Sequence, residues 1–229
     1  MSPITVQVQR DVLHDSKAAA EEFRSEMTRR GTLVINLLSS PGSGKTSLLE
    51  KTAQCWDQRR RFAVLVGDLE TDRDARRLER FGPAVQLTTG GACHLSFALV
   101  QRGFAALKDE DLEFLFIENV GNLVCPASHD LGEHLRVILL SVPEGDDKPG
   151  KYPKAFRTSQ ALVVTKTDLL PYVPFSVDAA TADARRIQPE LTTFALSSLT
   201  GEGVGEWCDF LDQSRRKLLE YRDAAKPQY

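Results

Sequence analysis

The sequence predicts an α/β protein, a mostly parallel β-sheet flanked by helices on both faces and built around a phosphate-binding loop. Three observations predict it. Short apolar, β-branched runs alternate with helical patterns along the chain, as parallel strands joined by crossover helices require. One run, Leu33–Leu38, passes through the small-residue loop Ser39–Gly44 directly into Lys45, Thr46 and a helical pattern. Later runs end in acidic or small residues, at the strand ends where open α/β sheets bind ligands. At 229 residues the chain suits one large domain with short extensions.

Taken in order, Met1–His14 alternates at Ile4, Val6 and Val8 and reads as an arm. Asp15 or Ser16 is a candidate cap for a helix running to about Arg30, with Ala20, Phe23 and Met27 on one face and Gly31 ending it. Residues 1–30 are thus an arm and helix, 31–222 the nucleotide-binding domain, and 223–229 a frayed tail. Phe62–Val66 is a second buried strand and Ala84–Leu87 a third. Thr88–Leu99 is a Gly-rich turn that delivers Cys93 and His94 at a helix start. Phe114–Ile117 is the fourth strand, followed by Glu118–Gly121 and a loop carrying Cys125. Val137–Val142 is the fifth. Glu144–Pro153 (EGDDKPGKYP) reads as a charged loop whose two prolines speak against regular helix. Ala161–Thr165 is the sixth strand, Asp178–Ile187 a helix and Thr193–Leu196 the seventh strand. The last helix places Val204, Trp207, Phe210, Leu211 and Leu218 on one stripe.

Composition excludes several classes. A net charge of −3 gives no reason to expect a nucleic-acid partner, and Arg59–Arg60–Arg61 reads as a solvated helix end. There is no signal-peptide pattern and no window long and apolar enough for a membrane span, so a cytoplasmic protein is expected. Four widely spaced cysteines do not make a disulfide framework in such a protein. Cys55 and Cys208 fall in helix patterns and read as packing residues.

The phosphate loop carries a definite chemistry. Gly42 and Gly44 let the backbone turn its N–H groups toward an anion, and the helix beginning at Lys45 points its positive end there. Lys45 can bridge the outer phosphates and Thr46 suits Mg²⁺, with Ser43 and Ser47 completing the cradle. The pattern's first glycine is Ser39 here. Asp68, immediately after the second strand, and Asp74 are candidates for holding Mg²⁺-bound or attacking water; Asp72 is a weaker one. Glu118 occupies the acidic position at the end of the fourth strand, and the Gly121 N–H would touch the γ-phosphate. No glutamine follows Gly121, so water positioning falls to Asp68 or Asp74 and slow turnover is expected. Lys45, Asp68, Asp74 and Glu118 are the candidate catalytic set.

The base is argued separately. Lys166-Thr167-Asp168 follows a buried strand. One Asp168 carboxylate can accept both the N1–H and the exocyclic amine of guanine, a donor pair adenine lacks. The Lys166 stem can lie over the base. Thr165 stands where asparagine is usual, and its hydroxyl can still tie loops together. Backbone N–H groups at Ser197-Ser198 suit the guanine carbonyl. GTP is therefore expected over ATP.

A second constellation is Cys93-His94 with Cys125. Thiolate and imidazole suit Ni²⁺ or Zn²⁺. Three ligands leave a tetrahedral site unfilled, and a second subunit across a two-fold axis could complete it. Taken alone, an adjacent Cys-His pair is more often chance, and a lone cysteine is ordinarily a small packed hydrophobe. Because Cys125 follows the phosphate-facing segment, movement of Glu118–Cys125 would move a metal ligand.

Together, SSPGSGKTSLL, GACHL, FIENVGNLVCPAS and EGDDKPGKYP resemble the HypB family of GTPases, accessory proteins for nickel insertion into nickel–iron hydrogenase. The likeness spans about Leu33 to Trp207. It implies the fold of the signal-recognition and MinD-like (SIMIBI-class) P-loop GTPases, slow hydrolysis and a GTP-promoted homodimer. It further implies a nickel or zinc site at the dimer interface from Cys93, His94 and Cys125. Implied partners are other maturation proteins and the hydrogenase large subunit. Lys148 and Lys151 lie in a matched loop that would reach nucleotide across the dimer. Met1–Arg30 carries no cysteine cluster or His-rich tract, only His14, so high-affinity nickel storage there is not expected. His129, four residues beyond Cys125, is a candidate fourth ligand against a surface-histidine reading. The rivals are a urease-type metallochaperone GTPase, a zinc-stabilised dimeric scaffold with vestigial turnover, and a small-molecule kinase.

Overall fold

The computed structural model describes residues 4–68, 73–107 and 111–225, and of 4–15 only the backbone. The seven expected strands form one sheet in the order β3-β2-β4-β1-β5-β6-β7. They are β1 (Leu33–Ser39), β2 (Phe62–Asp68), β3 (Ala84–Thr88), β4 (Phe114–Gly121), β5 (Leu135–Ser141), β6 (Ala161–Thr165) and β7 (Thr192–Ala195). Every pairing is parallel. Strand β1 lies between β4 and β5 and is buried along its whole length, which explains its largely apolar character, interrupted by Asn36 and Ser39. Its carboxyl end is where the strand order turns, so the loop after it opens into the crevice between neighbours.

Helices cover both faces. On one side α2 (Lys45–Trp56), α3 (Arg73–Leu78) and α8 (Val204–Ala224) pack on Leu33, Ile35, Leu37, Phe114 and Phe116. Trp207 of α8 is fully buried, and its indole N–H donates to Thr52 Oγ1 of α2 at 3.0 Å. Cys208 is buried in this layer and Cys55 packs against it. The opposite face carries two separate apolar clusters. One lies under α1 (Ile4–Arg30) and α4 (Phe97–Ala106), with Ala20, Phe23 and Met27 buried as their spacing predicts. The other lies under α6 (Pro153–Arg157) and α7 (Val177–Ile187). No helix among the described residues is long and apolar enough to cross a membrane.

The structure corrects three expectations. The first helix has no start at Asp15 or Ser16: α1 runs continuously from Ile4, so most of the supposed arm is helical. Two prolines do not abolish helix in Glu144–Pro153. The segment holds α5 (Lys148–Lys151) and the start of α6, each with its proline in the first turn, where a missing N–H leaves no helical bond unmade. The arginine run is not simply solvated. Arg60 forks onto both oxygens of Asp212 in α8 at 2.9 and 3.0 Å, and Arg59 donates to the Trp56 and Cys55 carbonyls at the end of α2. Arg61 donates to the Asp111 carbonyl and carboxylate. The Arg59 partners are local, whereas Asp212 and Asp111 are brought to Arg60 and Arg61 only by the fold. Residues 226–229 and Asp72 lie outside the described residues.

Candidate nucleotide and metal site

The loop after β1 is shaped as the residues predict. Gly44 sits at φ 92°, a left-handed conformation that strains any side chain, and immediately starts α2. Lys45 is buried, and its ammonium donates to Ser39 Oγ at 2.8 Å. Ser39 therefore supplies a hydroxyl where the usual glycine supplies none. Gly121 passes so close to the loop that an added Cβ would lie 2.7 Å from the Pro41 Cα. Only glycine lets the end of β4 meet the phosphate loop there.

On the β2–β4 side the loop opens into a cavity of about 420 Å³. Lys45, Asp68, Asp74, Glu118 and Gly121 line it, and so does Cys93. Burial lowers the Lys45 pKa, opposed by the charges of Glu118, Asp74, Glu144 and Asp68. Glu118 is buried, and burial pushes its carboxyl up to about 7 despite Lys45 nearby. One of its oxygens accepts from Thr46 Oγ1 at 2.8 Å, while Oε2 has no partner among the described residues. An orphaned carboxylate oxygen beside a threonine hydroxyl and Asp68 is a donor set that fits a hard divalent cation. Asp74 stands in the first turn of α3, 3.2 Å from Arg77, which also binds Glu50 at 2.7 Å.

On the other side of α2 lies a second cavity, of about 340 Å³, lined by Gly44, Ser47, Thr165, Lys166, Asp168, Ser198 and Leu199. Thr165 Oγ1 donates to the Ser43 carbonyl at 2.7 Å, and Lys166 Nζ to the Gly42 carbonyl at 2.7 Å. Both clamp this cavity to the phosphate loop. Ser197 differs from expectation. Its N–H is committed to the Glu202 carbonyl at 3.0 Å, and its hydroxyl donates to Asp168 Oδ1. Ser197 thus orients Asp168 rather than facing the cavity with its amide. Ser198 remains on the cavity wall.

The Cys93–His94 pair lies in the turn before α4, whose cap is Ser96, so it precedes the helix instead of starting it. The neighbouring Cys125 thiol pushes the Cys93 thiol above its usual range. The His94 and His129 rings stack with centroids 3.9 Å apart, and burial plus His129 lowers the His94 pKa. Stacked imidazoles disfavour protonation, and His94 Nδ1 lies 3.9 Å from the Cys93 sulfur. His129 Nδ1 lies 2.9 Å from the Cys125 carbonyl. The fold thus brings all four residues together from two distant segments. Among the described residues no group of three or more His, Cys, Asp or Glu side chains is already arranged as a metal site. Lys151 binds Asp147 at 2.5 Å and Lys148 lies over the Tyr152 ring.

Sequence reasoning missed Glu144. Its Oε2 accepts from the Ser141 N–H at 2.7 Å and from the Ser141 and Ser43 hydroxyls at 2.8 Å. Burial alone would raise its pKa, but these bonds and one from Ser40 outweigh it, and the carboxyl is lowered. The spacing Ser141-x-x-Glu144 is a capping-box signature that could have found it.

The family model described as "CobW/HypB/UreG, nucleotide-binding domain" matches residues 33–195. The chain is 46% identical over 225 residues to the hydrogenase maturation factor HypB of Azotobacter chroococcum, covering 97% of this chain and 74% of that protein. It is 40% identical over 222 residues to the hydrogenase/urease maturation factor HypB of Helicobacter pylori, covering 95% and 91%. The crystal structure of Helicobacter pylori HypB in complex with nickel superimposes with a TM-score of 0.84 at 40% identity, covering 89% of this chain and 96% of that one. The signal recognition particle 54 kDa protein of Aeropyrum pernix, in complex with GDP, shares the fold alone, with a TM-score of 0.54 at 14% identity over 84% of this chain and 49% of that one. A P-loop nucleotide-hydrolase fold, a family model covering most of the chain and near-full-length relatives agree: the chain belongs to the CobW/HypB/UreG family, and within it to the HypB hydrogenase maturation factors.

Proposed function

We propose that this protein is a metal-regulated GTPase that gates nickel delivery during maturation of nickel–iron hydrogenase. The observation that carries the reading is the 420 Å³ cavity, in which Lys45, Asp68, Glu118 and Gly121 share one space with Cys93. A group bound to the phosphate loop would be sensed beside a metal ligand.

The GTP phosphates lie on the amides of Gly42–Ser47, with Lys45 on the outer pair. Mg²⁺, held by Thr46, Asp68 and Glu118, would neutralise charge on the phosphate oxygens. Asp68 or Asp74 accepts a hydrogen bond from water and aims it at the γ-phosphorus, and the Gly121 N–H steadies an equatorial oxygen. With no glutamine after Gly121, the water is loosely held and turnover is slow. Asp168 reads guanine, Lys166 and Ser198 flank the base, and Ser197 orients Asp168.

Nickel is cargo. Cys93, His94 and Cys125 bind it, with zinc as a competitor for the same donors. A second copy of the chain completes the coordination, so the working unit is a GTP-promoted homodimer. It acts with other maturation proteins and the hydrogenase large subunit. The Helicobacter pylori relative, named for both hydrogenase and urease, supports urease as a second acceptor.

The test is Ni²⁺ and Zn²⁺ binding with and without a non-hydrolysable GTP analogue, with mass in solution read in parallel. Nucleotide is expected to change both affinity and mass, and Cys93→Ala or Cys125→Ala to remove the metal. Metal retained in both variants, or affinity indifferent to nucleotide, would overturn the gated site.

A further inference from the structure

The two apolar clusters on the α1 face of the sheet do not meet. Between them runs a seam of four buried polar side chains: Asn119 of β4, Asn36 of β1, Glu133 just before β5 and Arg136 of β5, each at most 8% exposed. Asn36 lies opposite Ile117 on one neighbour and opposite Arg136 on the other, so the seam crosses the three central strands. Buried amides and ion pairs of this kind bring no advantage in stability over packed apolar side chains. Their arrangement has another property.

The seam is a one-way chain of hydrogen bonds. Asn119 Oδ1 accepts from the Val120 N–H at 3.0 Å, which turns its Nδ2 toward Asn36 Oδ1 at 3.2 Å. Asn36 Nδ2 then faces Glu133 Oε1 at 3.2 Å. Glu133 is clamped by Arg136, whose Nε donates at 2.7 Å, and its other oxygen accepts from the Leu131 N–H at 2.8 Å. Arg136 spends its remaining donors on the carbonyls of His129 at 2.7 Å and Ala127 at 3.3 Å. The first member lines the phosphate-side cavity, and the last holds the turn that follows Cys125. Each amide can bond its neighbour only in one orientation, so a rotation at Asn119 breaks its bond to Asn36, and Asn36 can answer it only by giving up its bond to Glu133.

We propose that Asn36, Glu133 and Arg136 are positioning residues, a buried relay through which the Glu118–Gly121 segment sets the Cys125–His129 turn and hence its affinity for a thiolate-seeking divalent metal ion. The relay rests on the cargo reading above. Nucleotide that draws the end of β4 toward the γ-phosphate pulls on the Val120 N–H that Asn119 accepts from. The bond pattern then shifts along the seam, and the two carbonyls held by Arg136 move with it. None of the three residues touches phosphate or metal.

The measurement is the Ni²⁺ dissociation constant of the full chain, by competition with a chromophoric chelator, with GDP and with a non-hydrolysable GTP analogue. The ratio of the two constants is the readout, since a merely structural loss weakens both alike. Wild type is expected to show a ratio in the range of about 5 to 150, the usual size of coupling between sites. Asn36→Leu, similar in volume, is expected to bring it to within about twofold of unity while the GDP-state constant stays near wild type. Arg136→Lys keeps the charge beside Glu133 but cannot fork onto two carbonyls, and should also flatten the ratio. It decides the matter if Asn36→Leu fails to fold. A wild-type ratio in either folded variant overturns the relay. Nickel binding unchanged by Cys125→Ala overturns the cargo reading beneath it, so the two failures are separable.

Discussion

A carboxylate can accept two hydrogen bonds side by side, and guanine offers its N1–H and exocyclic amine side by side. In the proposed reading Asp168 meets that pair, held in place by the Ser197 hydroxyl. Asp168→Asn should weaken GTP about 100-fold, because the partner of a buried, charge-assisted bond is lost. The same change should admit xanthosine triphosphate, whose carbonyl replaces the amine and accepts from the new amide. Competitive displacement of a fluorescent GTP analogue checks both, and equal GTP affinity in the variant would remove Asp168 from base reading. Asp168 was legible in the sequence because three adjacent residues after a strand carry the pattern. The role of Ser197 was not, because its amide is taken by Glu202, and that contact exists only once the turn is folded.

At the scale of elements, α1 is fastened to β1 by His134. The Val34 N–H donates to its Nδ1 at 3.0 Å, and its Nε2 lies 3.0 Å from Thr28 Oγ1. Burial, with the Arg24 charge beside it, pushes the His134 pKa down to about 4. An unfolded histidine titrates near 6.5. Between these values the unfolded chain binds the extra proton, so stability is full above about pH 6.5 and falls as pH drops toward 4. From pH 7.5 to 5 the wild type should lose about 2 kcal/mol more than His134→Gln in urea unfolding. Parallel losses would show that His134 does not carry the acid sensitivity of the α1–β1 junction. The α1 stripe of Ala20, Phe23 and Met27 was readable from spacing, yet its start was not. Alternation at Ile4, Val6 and Val8 has the period of a strand, and the helix overrides it.

For the whole molecule, the nucleotide cavities lie on either side of α2, so a bound GTP would tie β1, β2, β4 and β6 together at one end of the sheet. A ligand that binds only the folded state adds about 2.7 kcal/mol at 100 times its dissociation constant. For a chain of this size that is a rise of about 5–10 °C in Tm. Thermal melts with Mg²⁺ and a GTP analogue should show it, and an ATP analogue at the same concentration should not. Equal shifts with both would contradict guanine selectivity.

The sequence by itself determined the sheet, the phosphate loop and the identity of most candidate ligands. These depend on local period, small-residue turns and short spacings, which act between neighbours in the chain. Only the tertiary structure decided what lies beside what. The Thr165 hydroxyl reaches the Ser43 carbonyl across 122 positions, and Asn36 reaches Glu133 across 97. The Asn122 side-chain amide donates to the Cys93 carbonyl at 3.1 Å although a helix and a strand separate them. Such pairings are fixed by strand order and register, and a one-residue slip of β1 or β6 would turn Asn36 or Thr165 to the opposite face.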